Sequence, residues 1–168
     1  MKLLFCIECG AELSKDEGMK YVCANGHPYW NNPRTAAAIF PIKDGKVLLA
    51  VRGRQPQRGK YDSIGGFVNP EESIEQAASR ELLEETGLTA SKFDYIGSVG
   101  NTYEENVYAC DSLFVITEWT GDMAAADDVA SLEWVEPAVI ASDAFAWPAH
   151  RDVPSLLQAY IDNHGPTT

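Results

Sequence analysis

Three glutamates, Glu81, Glu84 and Glu85, fall at i, i+3 and i+4. On a helix that spacing sets three carboxylates along one side. Glu81 and Glu85 would repel each other there, and a helix C-terminus disfavours anions. A divalent cation would offset both penalties. Magnesium is a hard ion that takes oxygen ligands, typically a few carboxylates together with waters and substrate phosphates. Taken alone, such a charge run reads first as a solvated acidic helix face, so its surroundings must decide.

A second cluster lies near the N-terminus. Cys6-x2-Cys9, Cys23 and His27 have the look of a zinc ribbon, in which two short knuckles close a tetrahedral site. The usual second knuckle is Cys-x2-Cys, but Gly26 stands at its last position, which leaves His27 as the fourth ligand. The alternatives are a degenerate ribbon without metal, or free thiols. Cys110 lies in a strand pattern and reads as a plain buried residue.

The local signals around the glutamates predict a helix over 73–86. Ser73 is a good N-cap with Gln76 three residues on, a capping box. Gly87 stands where a left-handed cap is wanted. Ile74, Ala77, Ala78 and Leu82 recur at core-facing spacing. Strands are expected at 36–41 and 47–51, joined by an Asp44-Gly45 hairpin turn, and again at 93–99, 107–117 and 132–135. A closing helix is expected at 154–163. Residues 52–60 form a basic, Gly/Pro/Gln-rich loop. Hairpins alternating with helices imply an α/β class with a mixed sheet. The Cys-bearing, turn-rich stretch 1–32 differs in texture from 33–168, and two units are expected.

The formal net charge is -12, with no Lys/Arg-rich run. Such a field repels phosphate polymers and anionic membranes, so no nucleic-acid or membrane partner is expected. A small phosphorylated substrate remains compatible if divalent metal supplies positive charge. The apolar run at the N-terminus is three residues, short of a signal core of roughly 7–15. Three cysteines in the first 23 residues suit a metal rather than a disulfide framework. A cytoplasmic protein is expected.

From Gly66, five residues precede Glu72 and seven more precede Arg80-Glu81; Leu82, Leu83, Glu84, Glu85, Thr86, Gly87 and Leu88 follow. This matches G-x5-E-x7-R-E-U-x-E-E-x-G-U, U being aliphatic, at every defined position. Chance would produce it in roughly one chain of this length in ten million. The stretch resembles the Nudix hydrolase signature. The resemblance implies an α/β/α sandwich with a mixed sheet, and hydrolysis of a nucleoside diphosphate linked to another group, dependent on Mg²⁺ or Mn²⁺. It implies Glu84 and Glu85 as main metal ligands, Glu81 as a further ligand or base, and the Gly66 carbonyl as completing the site. Arg80 would orient the glutamates by pairing with Glu84 or Glu72, leaving Glu72 a supporting residue. Such enzymes often take a base from a loop before a late strand; Asp128 is the first candidate and Asp127 the second, although an acidic turn fits equally. Glu104 and Glu105 are weaker candidates. Where the family usually has Pro-Gly-Gly, this chain has Ile64-Gly65-Gly66.

A ribbon followed by this signature resembles the branch containing NADH pyrophosphatases. Their S-Q-P-W-P-F-P stretch is here Ser98-Val99-Gly100-Asn101-Thr102-Tyr103-Glu104, which keeps the serine and one aromatic. ADP-ribose or another dinucleotide-like compound is therefore as suitable as NADH. Gly65 and Gly66 would face the substrate. Tyr103 either stacks on a base or ends a strand in the core. Arg52 and Arg54 either contact phosphate or solvate their loop. Trp30, Trp119, Trp134 and Trp147 read as core or interface. A house-cleaning triphosphate pyrophosphatase is the rival activity, and a non-catalytic ligand sensor of the same fold is the rival class. Family members of this kind are often homodimers, the assembly expected here.

Overall fold

The computed structural model describes residues 5–104 and 107–165. Strands β1 (Leu13–Lys15), β2 (Lys20–Cys23) and β3 (Pro28–Trp30) form a small antiparallel sheet. Its core is Cys6, Leu13 and Cys23, with Ala11, Tyr21 and Tyr29 packed around them. Among the described residues this core has three buried members, too few to support a fold by apolar burial alone.

The larger sheet is built on β4 (Arg34–Lys43), which pairs in parallel with β9 (Val107–Ile116). β5 (Lys46–Arg52) follows β4 through the Asp44-Gly45 turn, where both residues have positive φ, 52° and 75°. That is the conformation a two-residue hairpin favours. β8 (Asp94–Glu104) and β10 (Val129–Val135) complete the order β10-β5-β4-β9-β8. Two short strands, β6 (Tyr61–Asp62) and β7 (Ile64–Phe67), pair with β5 and β4 respectively.

Helices cover both faces. On β4, Ala38, Phe40 and Ile42 join one apolar layer, while Ala37 and Ile39 join the other. The first layer packs under α2 (Val153–His164) through Val153 and Leu157, with residues from the 3-10 turn Pro137–Ala141 and around Trp147. The second packs under α1 (Ile74–Thr86) through Ala78 and Leu82. Burial on both sides explains why β4 and β5 read as continuous apolar runs rather than alternating ones. The expected α/β/α sandwich with a mixed sheet is present.

α1 begins and ends as its local signals predict. Ser73 accepts from the Gln76 amide while the Gln76 side chain accepts from the Ser73 amide, and Gly87 closes the helix at φ 73°. β8 runs beyond the expected strand end at residue 99 to Glu104, and β10 starts at Val129 rather than 132. β7 escapes recognition because Ile64-Gly65-Gly66-Phe67 lacks a strand-like pattern. Its glycines are there for fit. Gly65 sits at φ 142°, and a Cβ added there would lie 2.0 Å from the Ala37 carbonyl oxygen.

Gly65→Ala should therefore destabilise the protein by at least ~2 kcal/mol in denaturant unfolding, since neither the backbone of β4 nor an L-residue at that φ can give way cheaply. A loss below ~0.5 kcal/mol would contradict this packing.

Candidate active site

The end of α1, the β6–β7 ribbon, the ends of β5 and β8 and the loop before β10 converge on one cavity of about 700 Å³. Glu81, Glu84, Glu85, Asp127 and Asp128 line it with Arg34, Arg52, Arg54 and Arg80. Gly65, Gly66, Asp62, Phe67, Tyr103 and Trp147 form further parts of its wall. Of the active-site residues singled out above, Glu81, Glu84, Glu85, Arg80, Asp127, Asp128, Arg52, Arg54, Tyr103, Gly65 and Gly66 reach this cavity and Glu72 does not. Glu104 is the last residue of β8, and Glu105 falls outside the described residues.

The three glutamates differ sharply in setting. Glu84 is half exposed and Glu85 is buried. Burial lifts the Glu85 carboxyl from its ordinary 4.5 to about 9; the Gly65 amide, donating to Oε2 at 2.9 Å, opposes the shift, and the charges of Asp128, Glu81 and Asp62 add to it. Burial also raises Glu81, against the pull of Arg80. Gly66 lets Glu81 approach, because a Cβ there would meet Glu81 Oε1 at 2.5 Å.

Arg80 ties the group together. It donates to both Glu72 oxygens at 2.7 and 2.9 Å, to Glu81 at 2.7 Å, to Glu84 at 3.1 Å and to the Phe67 carbonyl at 3.1 Å. The sequence offered Glu84 or Glu72 as its partner; the fold supplies both, and Glu81 as well. Its hydrogen bonds to Glu72 hold that carboxyl down at about 2. Glu72 in turn accepts from the Asn69 amide at 2.9 Å, so it anchors the loop that enters α1.

Asp127 and Asp128 arrive by tertiary packing. The amides of Ala124 and Ala126 donate to the carbonyls of Thr86 and Glu85 at 2.9 and 3.1 Å, satisfying acceptors that a helix end leaves open. This ties the loop to the end of α1 just before Asp127, which holds φ 51°. Arg54 Nε meets Asp128 Oδ2 at 2.8 Å. Arg52 is fixed differently, with Nη1 2.7 Å from Asp62 and Nε 2.8 Å from the Pro56 carbonyl.

Aromatic rings form the rest of the wall. Tyr103 stands between Phe67 and Trp147, edge-on to both, at 5.5 and 4.6 Å between centroids. Trp147 was expected in the core; it is buried, and it also lines the cavity. Its Nε1 donates to Asp62 at 3.0 Å. One other expectation needs correction. Cys110 is exposed, because β9 alternates at that end and its neighbours Ala109 and Asp111 point inward. Trp30, expected in the core or at an interface, is 52% exposed on the small sheet and so lies outside its core. Trp119 and Trp134 stack on each other at 5.9 Å.

Asp62, Phe67 and Arg34 line the cavity without having been singled out in the sequence. Asp62 and Trp147 are 85 residues apart, and no local pattern links them.

At the N-terminus, Cys6, Cys9, Cys23 and His27 place one donor atom each within 4.8 Å of all the others. Cys6 Sγ is 3.6 Å from His27 Nδ1 and Cys9 Sγ is 3.8 Å from Cys23 Sγ. The Ala11 amide, then Asn25, lower the Cys9 thiol to about 6. Glu8 lies 3.7 Å from His27 Nε2. No helix among the described residues is long and apolar enough to cross a membrane.

The NUDIX domain family model matches residues 32–157. The chain is 35% identical over 127 residues to the CTP pyrophosphohydrolase of Escherichia coli, covering 74% of this chain and 88% of that one. It is 26% identical over 155 residues to the human mitochondrial NAD(P)H pyrophosphatase NUDT13, covering 92% of this chain and 41% of that one. It spans less than two thirds of the length of several curated relatives it matches. Among solved structures, a NUDIX hydrolase from Nitrosomonas europaea superposes with a TM-score of 0.67 at 23% identity, covering 98% of this chain and 94% of that one. A family match across most of the chain, joined to an intact signature on α1, shows that this protein belongs to the NUDIX family.

Proposed function

We propose that the chain is a divalent-metal-dependent hydrolase that cleaves the diphosphate linkage of a nucleoside diphosphate derivative such as ADP-ribose or NADH. The observation that carries this reading is the convergence of Glu81, Glu84, Glu85, Asp127 and Asp128 with four arginines in one cavity. A sensor would not need three glutamates gathered and braced by Arg80.

The donors fit a hard cation. They are carboxylate oxygens, with Gly66 in the same wall, and no Cys, Met or His is among the described residues that line the cavity. Glu84, Glu85 and Glu81 would hold Mg²⁺ or Mn²⁺. When bound, such an ion neutralises the diphosphate oxygens and makes water a better nucleophile at neutral pH. The chain's own part is positioning. Arg80 holds Glu81 and Glu84 at a fixed spacing, and the Gly65 amide aims Glu85. Arg52 and Arg54 carry positive charge to the phosphates, Arg54 once it leaves Asp128. Asp128 is the proposed base, with Asp127 second, and Glu72 supports Arg80.

The CTP pyrophosphohydrolase, 88% of whose length the match covers, favours a second reading within the same chemistry, a nucleoside triphosphate pyrophosphatase. A panel of NADH, ADP-ribose, FAD, diadenosine polyphosphates, CTP and dNTPs separates the two.

We also propose that residues 1–32 form a zinc ribbon and 33–168 the catalytic unit. A tetrahedral ion with Zn–S of about 2.3 Å sets its sulfurs about 3.8 Å apart, matching Cys9 and Cys23. Glu8 would orient His27, a common supporting contact at metal sites. Metal then replaces the core that this small sheet lacks. Three reduced thiols fit a cytoplasmic setting.

Three outcomes are expected. Glu85→Gln should keep the fold and lower turnover at least ~100-fold; near-normal rates would remove Glu85 as a main metal ligand, and a wild-type chain without turnover would favour the sensor. With its carboxyl raised to about 9, Glu85 carries a proton at pH 7 in the metal-free protein. The folded chain then holds more protons than the unfolded one, so metal-free stability falls as pH rises from the ordinary 4.5 towards 9. Mg²⁺ or Mn²⁺ binding at pH 7 should accordingly release a proton, read by calorimetry in buffers of different ionisation enthalpy; a buffer-independent heat would contradict it. Elemental analysis of native protein should find one zinc per chain, lost in Cys9→Ser with activity at the glutamate site retained in whatever fraction stays folded. Metal-free native protein would remove the ribbon reading.

A further inference from the structure

Asp111 and His150 are both 0% exposed, and the chemistry above gives them no part. His150 Nε2 lies 2.8 Å from Asp111 Oδ2. Asn101 donates to the same oxygen at 3.1 Å, and the Tyr103 hydroxyl donates to both Asp111 oxygens at 3.2 Å. One carboxylate thus gathers three donors, two from β8 and one from the 3-10 turn Pro148–Asp152.

This group is a poor device for stability. A buried polar network stabilises only when every member has its partners, and falls behind an apolar core when one does not. His150 Nδ1 has no hydrogen-bond partner among the described residues, a penalty of about 1–3 kcal/mol. The layer around it, with Leu113, Phe145 and Val153, is apolar and would accept leucine or phenylalanine. What the group does achieve is orientation: it pins the hydroxyl of Tyr103.

Tyr103 is the middle ring of the Phe67–Tyr103–Trp147 row. Each outer ring has a guanidinium over it, Arg34 at 5.4 Å from Phe67 and Arg52 at 5.3 Å from Trp147. Trp147 is pinned at its own end by Asp62. Phe67 is tied through its carbonyl to Arg80, beside the glutamates. These rings line the cavity, whereas Asp111, His150 and Asn101 lie behind it. The row is therefore held at three points and stands in the same cavity as the acidic cluster. A planar base can stack on such a wall for about 1–3 kcal/mol, provided the wall does not have to order itself on binding.

We propose that Asp111 and His150 are positioning residues that, through the Tyr103 hydroxyl, hold the aromatic row rigid as the seat of the substrate's base. They set affinity for the nucleoside end without touching it. This rests on the reading of the chain as a nucleotide hydrolase.

The test compares binding of AMP and CMP with that of ribose 5-phosphate, by calorimetry with Mn²⁺ present. The wild-type chain should bind at least one of the two nucleotides at least ~10-fold more tightly than the baseless sugar phosphate, which is about what one stacked base supplies at the lower end of its range. Asp111→Asn, His150→Leu and Tyr103→Phe should cut that ratio to about 3 or less while ribose 5-phosphate affinity stays within about twofold, as expected when only preorganisation of the base seat is lost. A merely structural role would lower the melting temperature and leave the ratio intact, which would overturn the proposal. So would a wild-type protein with no preference for the nucleotides. If Asp111→Asn fails to fold, Tyr103→Phe decides, because it keeps the ring and deletes only the hydroxyl. The ratio is read without turnover. A chain that binds nucleotides as described yet hydrolyses nothing in the substrate panel defeats the hydrolase reading alone.

Discussion

Carboxylates crowded at the end of a helix repel one another and lose solvation, and the rest of this molecule is arranged around that tension. Glu85 is buried and its pKa raised. Only the Gly65 amide and a counter-ion can relieve it. Arg80 relieves Glu81 and Glu84 by reaching both from one guanidinium while Glu72 holds it from the other side. The neighbouring β7 has two glycines because its backbone must lie against β4 on one side and against Glu81 on the other. The loop carrying Asp127 and Asp128 is bonded to the last carbonyls of the same helix. Each of these features makes sense as support for a cation and a phosphate chain.

The helix itself was legible because its information is local. Capping box, glutamate spacing and terminal glycine all lie between Ser73 and Gly87, and each takes the place its residue type predicts. The hairpin at Asp44-Gly45 was legible for the same reason. Hairpins alternating with helices pointed to a mixed sheet, and the signature resemblance implied the sandwich. The cysteine and histidine cluster was legible as a spacing, and the fold brings all four donors together, with His27 in the place of the missing cysteine.

The remainder was not local. Ile64–Phe67 carries no strand signature, since its glycines answer to Ala37 and Glu81 rather than to their own neighbours. Trp147 looked like core and is core, yet its edge reaches the cavity, a dual role that no periodicity encodes. Asp111 follows Cys110 in a strand, and only the alternation of β9 shows which of the two faces inward. Asp62, Asp111 and His150 become meaningful only when β6, β9 and the turn before α2 meet. The part of the site proposed to seat the substrate's base is thus the part least visible from spacing, whereas the part proposed to hold metal is the most visible.

The central claim is that the glutamates of α1 exist to hold a cation against a diphosphate. The most direct measurement is anomalous diffraction from crystals soaked with Mn²⁺ and a non-hydrolysable diphosphate nucleotide. The account predicts manganese at the carboxylates of Glu81, Glu84 and Glu85, with the diphosphate beside it in the cavity. Manganese absent from those carboxylates while the nucleotide occupies the cavity would contradict it.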